Sequence, residues 1–179
     1  EDLEEFTSIT FGEEQEFSKK DTIVVGGMVT RIVKRFDRRN REMAFFDLDC
    51  LGGHAEVIAF SDCFKSYGNL IEEGNVVFVK GKPSENTDFS DLKIMGDEII
   101  PVDRVRDRLS QRLNIKFPEG ETTPEDVDEL MAIAKQYPGE CRLVFHLPNN
   151  GSPRPMKVMA HNIKISTNKE FVRSLRTKY

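Results

Sequence analysis

Six of the eleven residues from Arg31 to Arg41, RIVKRFDRRNR, are Lys or Arg, and Asp37 is the one acid among them. Phe36 lies inside the run, and Phe45 follows four residues past its end. Ammonium and guanidinium groups pair with phosphate oxygens, the guanidinium as a planar fork that takes two oxygens at once. Aromatic rings accept stacked bases for about 1–3 kcal/mol each, with little regard to sequence. Arg31, Lys34, Arg35, Arg38, Arg39 and Arg41, with Phe36 and Phe45 as stacking platforms, are therefore the candidate nucleic-acid contacts. The plainer reading of a charge run, a solvated hairpin, stands beside this one.

Other chemistry is poorly represented. The sequence contains no CxxC, HExxH or GxSxG and no phosphate-binding glycine loop. His54, His146 and His161 are scattered without ligand spacing. Asp47 and Asp49 resemble a two-carboxylate metal motif, but on an alternating strand they read as two outward polar residues. Cys63 opens a helical pattern without a strong basic partner nearby and reads as a packing residue. The expectation is no catalytic residue, no metal, no cofactor and no small-molecule ligand. Cys50, Cys63 and Cys141 are an odd number at wide spacings, which fits a reducing cytoplasm. No apolar run reaches the roughly 18 residues of a membrane span, so no membrane partner is expected.

The elements that must position the basic run read as β. TIVVGGMVTRIV is rich in β-branched residues, and Gly26-Gly27 inside it marks a bend. MAFFDLDCL alternates, with Ala44, Phe46, Leu48 and Cys50 on one side and Met43, Phe45, Asp47 and Asp49 on the other. HAEVIAF is a third strand. SDCFKSYGNLIEEG is a short helix with Ser61 as N-cap and Gly74 as stop. NVVFVKGK and DLKIMGDEIIPV are strands four and five. Three strands, a helix and two strands is the order of the OB-fold, a five-stranded Greek-key barrel whose first loop and strand 2–3 face bind oligonucleotides. The basic run falls on that first loop.

The rest divides around this barrel. Residues 1–20 form an arm anchored by Leu3, Phe6, Ile9, Phe11 and Phe17; residues 21–103 are the barrel; residues 104–179 are a small α+β domain. In the last, DRVRDRLSQRL reads as a basic helix, TTPEDVDELMAIAKQYPGE as a helix capped by Thr123 with Pro124 at its first position, and CRLVFHL and MKVMAHNIKIS as strands before a closing helix. Charge is partitioned: residues 21–41 carry net +4, residues 42–103 net −9 and residues 104–179 net +5, within a total of −5. The loop between strands 4 and 5 carries Glu85, Asp88 and Asp91, which repel phosphate. Binding is thus expected to be weak, salt-sensitive and sequence-tolerant. Two other readings remain: an RNA- or tRNA-binding barrel using the same face, and a purely protein-binding barrel.

The order and spacing of these motifs resemble a known family. Val25, Gly27 and Val29 precede the basic turn; Met43, Ala44 and Phe45 follow it. Gly53, Glu56, Val57 and Phe60 form a G-x-x-E-V strand, Tyr67, Leu70, Ile71 and Gly74 a helix end, and Pro101, Arg106 and Leu109 a closing segment. Over roughly residues 1–115 this resembles the OB domain near the carboxyl end of the bacterial DNA polymerase III alpha subunit, and more loosely the tau-binding domain that follows it. The resemblance implies a fragment of a longer chain, an expectation that fits a start at Glu1. It implies a non-catalytic piece of a DNA-directed DNA polymerase, a nucleotidyltransferase, whose catalytic carboxylates lie upstream. The implied partners are single-stranded template DNA for the barrel and the clamp-loader tau subunit, with other replisome proteins, for the second domain.

Overall fold

The computed structural model describes residues 2–11, 21–84, 92–117, 123–148 and 156–176. Phe17 and the acids Glu85, Asp88 and Asp91 lie outside them. The chain forms two compact units, Glu1–Val105 and Arg106–Tyr179.

In the first unit five strands close into a barrel: β1 (Ile23–Phe36), β2 (Glu42–Cys50), β3 (Gly53–Ala59), β4 (Val76–Pro83) and β5 (Leu92–Pro101), in the order β1-β2-β3-β5-β4. The five-stranded OB barrel followed by a small α+β region is the architecture expected from the sequence. Strand β1 is long because it serves two neighbours. Its first half, Ile23 to Met28, pairs with β4, and from Gly27 onward it pairs with β2. Gly27 belongs to both ladders, and the strand must turn there. A Cβ at Gly27 would stand 2.7 Å from the Asp49 carbonyl oxygen, and one at Gly26 would stand 2.6 Å from the Phe78 ring. The glycine pair lets the backbones approach and the strand bend, as barrel closure requires.

Alternation fills the barrel. Val25, Val29, Ala44, Phe46, Leu48, Ala55, Val57, Val79, Ile94 and Ile99 are buried in one cluster. Closure comes from parallel pairing of β3 with β5, Ala55 to Ile58 against Leu92 to Met95. Helix α2 (Ser61–Tyr67), followed by one 3-10 turn (Gly68–Leu70), lies between β3 and β4. Ser61 is not its cap: the cap position is Phe60, without a side-chain bond, and the Ser61 hydroxyl is spent elsewhere. The arm contributes a short helix, α1 (Asp2–Phe6), then Ile9, buried in the core, and Phe11, packed against it. Phe6 meets Phe78 edge-on, with ring centroids 6.4 Å apart.

In the second unit a three-stranded sheet, β6 (Arg112–Lys116), β7 (Pro138–Leu147) and β8 (Met156–Ile165), packs one face against α4 (Pro124–Ala134) and α5 (Lys169–Arg176). Strands β6 and β7 are parallel, which demands a crossover, and α4 supplies it. Thr123 caps α4 in a reciprocal box with Asp126, and Pro124 occupies the first turn. Leu130, Ala134, Cys141, Leu143, Phe145, Ile165 and Phe171 make the core. The basic helix expected over 103–113 is shorter, α3 (Val105–Leu109). Leu113, Ile115 and Phe117 recur at every second residue, and that period wins: the segment from Arg112 is β6.

Candidate nucleic-acid interface

The basic run occupies the end of β1, the turn and the start of β2. The turn is built on Asp37. Its carboxylate accepts the backbone N–H of Arg39 at 2.8 Å and of Arg41 at 2.9 Å, the Arg41 Nε–H at 2.9 Å and the Ser61 hydroxyl at 2.9 Å. Asn40 takes the left-handed conformation, φ 56°, that the turn needs and that Asn tolerates. These donors, the Arg41 backbone first, together outweigh the opposing effect of desolvation and hold the Asp37 carboxyl down to about 2. Through Ser61 the turn is braced against helix α2.

Seven of the eight candidate residues separate into three groups, and Arg41, bound into the turn, stands apart. Beyond the bulge between Val29 and Arg31, the register sets Arg31 opposite Asp47, Val33 opposite Phe45 and Arg35 opposite Met43. Arg31, Arg35 and Phe45 therefore share the outer face of the β1-β2-β3 sheet, where with Val33, Asp47 and Glu56 they line an open cleft of about 340 Å³. Phe45 is half-buried, its paired neighbours being Val33 on one side and Ile58 on the other. Lys34 and Phe36 face the other way. The Lys34 ammonium lies 5.7 Å from the centre of the Phe64 ring of α2, and Phe36 is 63% exposed. Arg38 and Arg39 stand at the tip.

Their electrostatic surroundings differ as sharply. Arg41 is committed internally, to Asp37 at 2.9 Å and to Asp62 at 3.5 Å. It shapes the turn rather than presenting a free charge. Arg31 makes only a loose pair with Asp47, 3.9 Å, with its own side chain 73% exposed. Among the described residues, Arg35, Arg38 and Arg39 have no carboxylate partner. Asp47 and Glu56 share the cleft with the arginines, and Glu56 also pairs with Lys93 at 3.9 Å. The face thus sets two acids between two bases across four strands, Arg31, Asp47, Glu56, Lys93.

Sequence reasoning missed Val33 and Glu56 as lining residues. The period-two count that joins Arg31 to Arg35 passes through Val33, so the signal for it was present. Glu56 becomes visible only once the β2–β3 register is known.

No thiol is poised for chemistry. Burial first, and Asp49 second, pushes Cys50 up to about 12; burial with Asp97 pushes Cys63 up to about 11, and burial with Asp107 raises Cys141 to about 11. Among the described residues no group of three His, Cys, Asp or Glu side chains is arranged to hold a metal, and no helix is long and apolar enough to cross a membrane.

Residues 23–102, the barrel, match the family model of an OB-fold nucleic acid binding domain, of the tRNA anticodon-binding type. The chain is 24% identical over 147 residues to the DNA polymerase III subunit alpha of Borreliella burgdorferi, 79% of this chain and 13% of that protein. It is 27% identical over 127 residues to that of Pseudomonas fluorescens, 70% of this chain and 11% of that protein, and 25% identical over 97 residues to that of Escherichia coli K12, 54% of this chain and 8% of that protein. The chain thus spans about an eighth or less of the length of these relatives. Among solved structures, a mitochondrial single-stranded DNA binding protein of S. cerevisiae, Rim1, aligns at 11% identity and a TM-score of 0.35, covering 49% of this chain and 96% of that one. An OB-fold barrel built from these strands, with homologues in several bacteria that all carry the same name, identifies the chain as a relative of the bacterial DNA polymerase III alpha subunits over its OB-fold region.

Proposed function

We propose that this chain is a non-catalytic part of a replicative DNA polymerase, that its barrel holds single-stranded template DNA, and that its second unit docks the clamp-loader tau subunit. The observation that carries the DNA assignment is the cleft on the outer face of β1-β2-β3, where Arg31 and Arg35 flank Phe45. A strand laid across it stacks a base on Phe45 and sets neighbouring phosphates on the two guanidinium groups, while Arg38 and Arg39 extend the track to the tip. Asp47 and Glu56 weaken the field in the same cleft, so affinity is modest. Four phosphate contacts correspond to a log–log salt slope of about −3 on a single strand. Arg41, Lys34 and Phe36 are left out of the track: the first is paired, and the other two face away from Phe45.

The test is a titration of a fluorescent oligo-dT with the chain and with a variant carrying Arg35→Glu, Arg38→Glu and Arg39→Glu. Loss of binding in the variant is expected; unchanged affinity sinks the proposal. Reading the barrel as an RNA binder has one observation in its favour, the anticodon-binding type of the matching family. A tRNA that binds more tightly than oligo-dT at matched salt would favour it, because an RNA reader exploits the 2′-hydroxyl. The tau assignment rests on the alpha-subunit relatives and on the net +5 of residues 104–179. It requires that the chain be retained on immobilised tau subunit and released by free tau.

A further inference from the structure

The second unit carries a charged face of its own. Helices α4 and α5 cover one side of the β6-β7-β8 sheet, and the side chains of the other side follow from the register. Arg112 on β6 pairs with Arg142 on β7, which pairs with Lys164 on β8. Four residues further along β6, Lys116 pairs with His146, which pairs with Lys157. Between these two rows lie Asn114, Val144 and Met159, and a 3.0 Å hydrogen bond between His146 Nε2 and Asn114 Oδ1 confirms that they share this face. All five Lys and Arg side chains are exposed. Glu140 is the one acid whose contacts place it here, and it pairs with Lys164 at 2.8 Å. Among the described residues, Arg112, Lys116, Arg142 and Lys157 have no carboxylate partner.

We propose that this sheet face is a second nucleic-acid contact, which binds the phosphate backbone and not the bases. Neighbouring strands are about 4.8 Å apart, so each row offers cations at closely spaced steps across the sheet, and the rows are separated by about 13 Å along the strands. Two arginines adjacent in one row present forks matched to phosphate oxygens. Among the described residues the face holds no Phe, Tyr or Trp, and its one imidazole, His146, is half-buried and tied to Asn114, so bases have little to stack on and charge dominates the binding. An acidic protein is the poorer occupant. A protein interface needs a buried apolar or aromatic anchor at its centre, and the strip between the rows offers little besides Met159, 36% exposed, because Val144 is already buried. The proposal is independent of the hairpin on the barrel.

The experiment uses the full 179-residue chain. Anisotropy titrations of fluorescent oligo-dT and of a duplex of equal length are run across a salt series. They compare the wild type, a sheet variant (Arg112→Gln, Lys116→Gln, Arg142→Gln), the hairpin variant (Arg35→Glu, Arg38→Glu, Arg39→Glu) and a charge-preserving control (Lys116→Arg, Lys157→Arg). The sheet variant is expected to lower the magnitude of the salt slope by about 2 on oligo-dT, and by somewhat more on duplex. Its circular dichroism and melting are expected to match the wild type, and the control should bind like it. Loss of slope only in the hairpin variant overturns this proposal and leaves the barrel assignment standing. Loss only in the sheet variant does the reverse. Polyglutamate that displaces DNA as well as unlabelled DNA does would also overturn it, by making the face a general acceptor of acidic chains.

Discussion

Asp37 does more for the hairpin than any of the arginines around it. Its carboxylate holds two backbone N–H groups, one guanidinium and the Ser61 hydroxyl. Because its folded pKa is lowered to about 2, it stabilises the fold fully at pH values above the ordinary carboxyl range and loses that contribution as pH falls through about 2. Denaturant midpoints of wild type and Asp37→Asn should therefore differ at pH 6, and the gap should close between about pH 4 and pH 2. The neighbouring arginines divide by role. Arg41→Ala should lower the melting temperature, since it removes the pairs to Asp37 and Asp62, whereas Arg38→Ala should leave melting unchanged and weaken oligo-dT binding. The three thiols lie at the opposite extreme of reactivity. With values raised to about 11 to 12, Cys50, Cys63 and Cys141 should resist a disulfide reagent at pH 8 in the native protein and react together once it is unfolded.

At the scale of elements, the two most informative positions are Gly27 and Thr123. Gly27→Ala sets a methyl against the Asp49 carbonyl, a backbone atom that cannot swing away, and should cost about 1–3 kcal/mol in denaturant unfolding. Thr123→Ala removes the hydroxyl that accepts from the Asp126 N–H and should cost about 0.5–2 kcal/mol, read from the same transition. Both residues were legible in the sequence, because a glycine pair in a β-branched run and a Thr-Pro before an apolar stripe each have a local cause. The alternation of Ala44, Phe46 and Leu48 was legible for the same reason. What local pattern did not reveal depends on partners distant in sequence. Ser61 reads as a cap until Asp37, 24 positions away, claims its hydroxyl. Arg41 reads as free until Asp62 is placed beside it. The basic face of the second unit is invisible as a run, because its members are spread over three strands that only register brings together.

For the molecule as a whole, charge is distributed by unit rather than by total. A chain of net −5 presents a basic tip on a barrel that is otherwise acidic, and a basic sheet face elsewhere. Its binding to oligo-dT should therefore fall steeply between 50 and 200 mM salt despite the negative total, and an anisotropy series that shows no salt dependence would contradict both proposed contacts. The way the barrel closes has a separate consequence, in time rather than space. Its last seam joins Ala55 to Leu92 in parallel, so the ring stays open until a ribosome has released the segment up to Met95. Contacts so remote along the chain are slow to form, and until they do the unmatched borders of β3 and β5 are open to strands of other molecules. Chains stalled before that point should be the ones that clump, and a nascent polypeptide ending at residue 84 should need a chaperone that one ending at residue 105 does not.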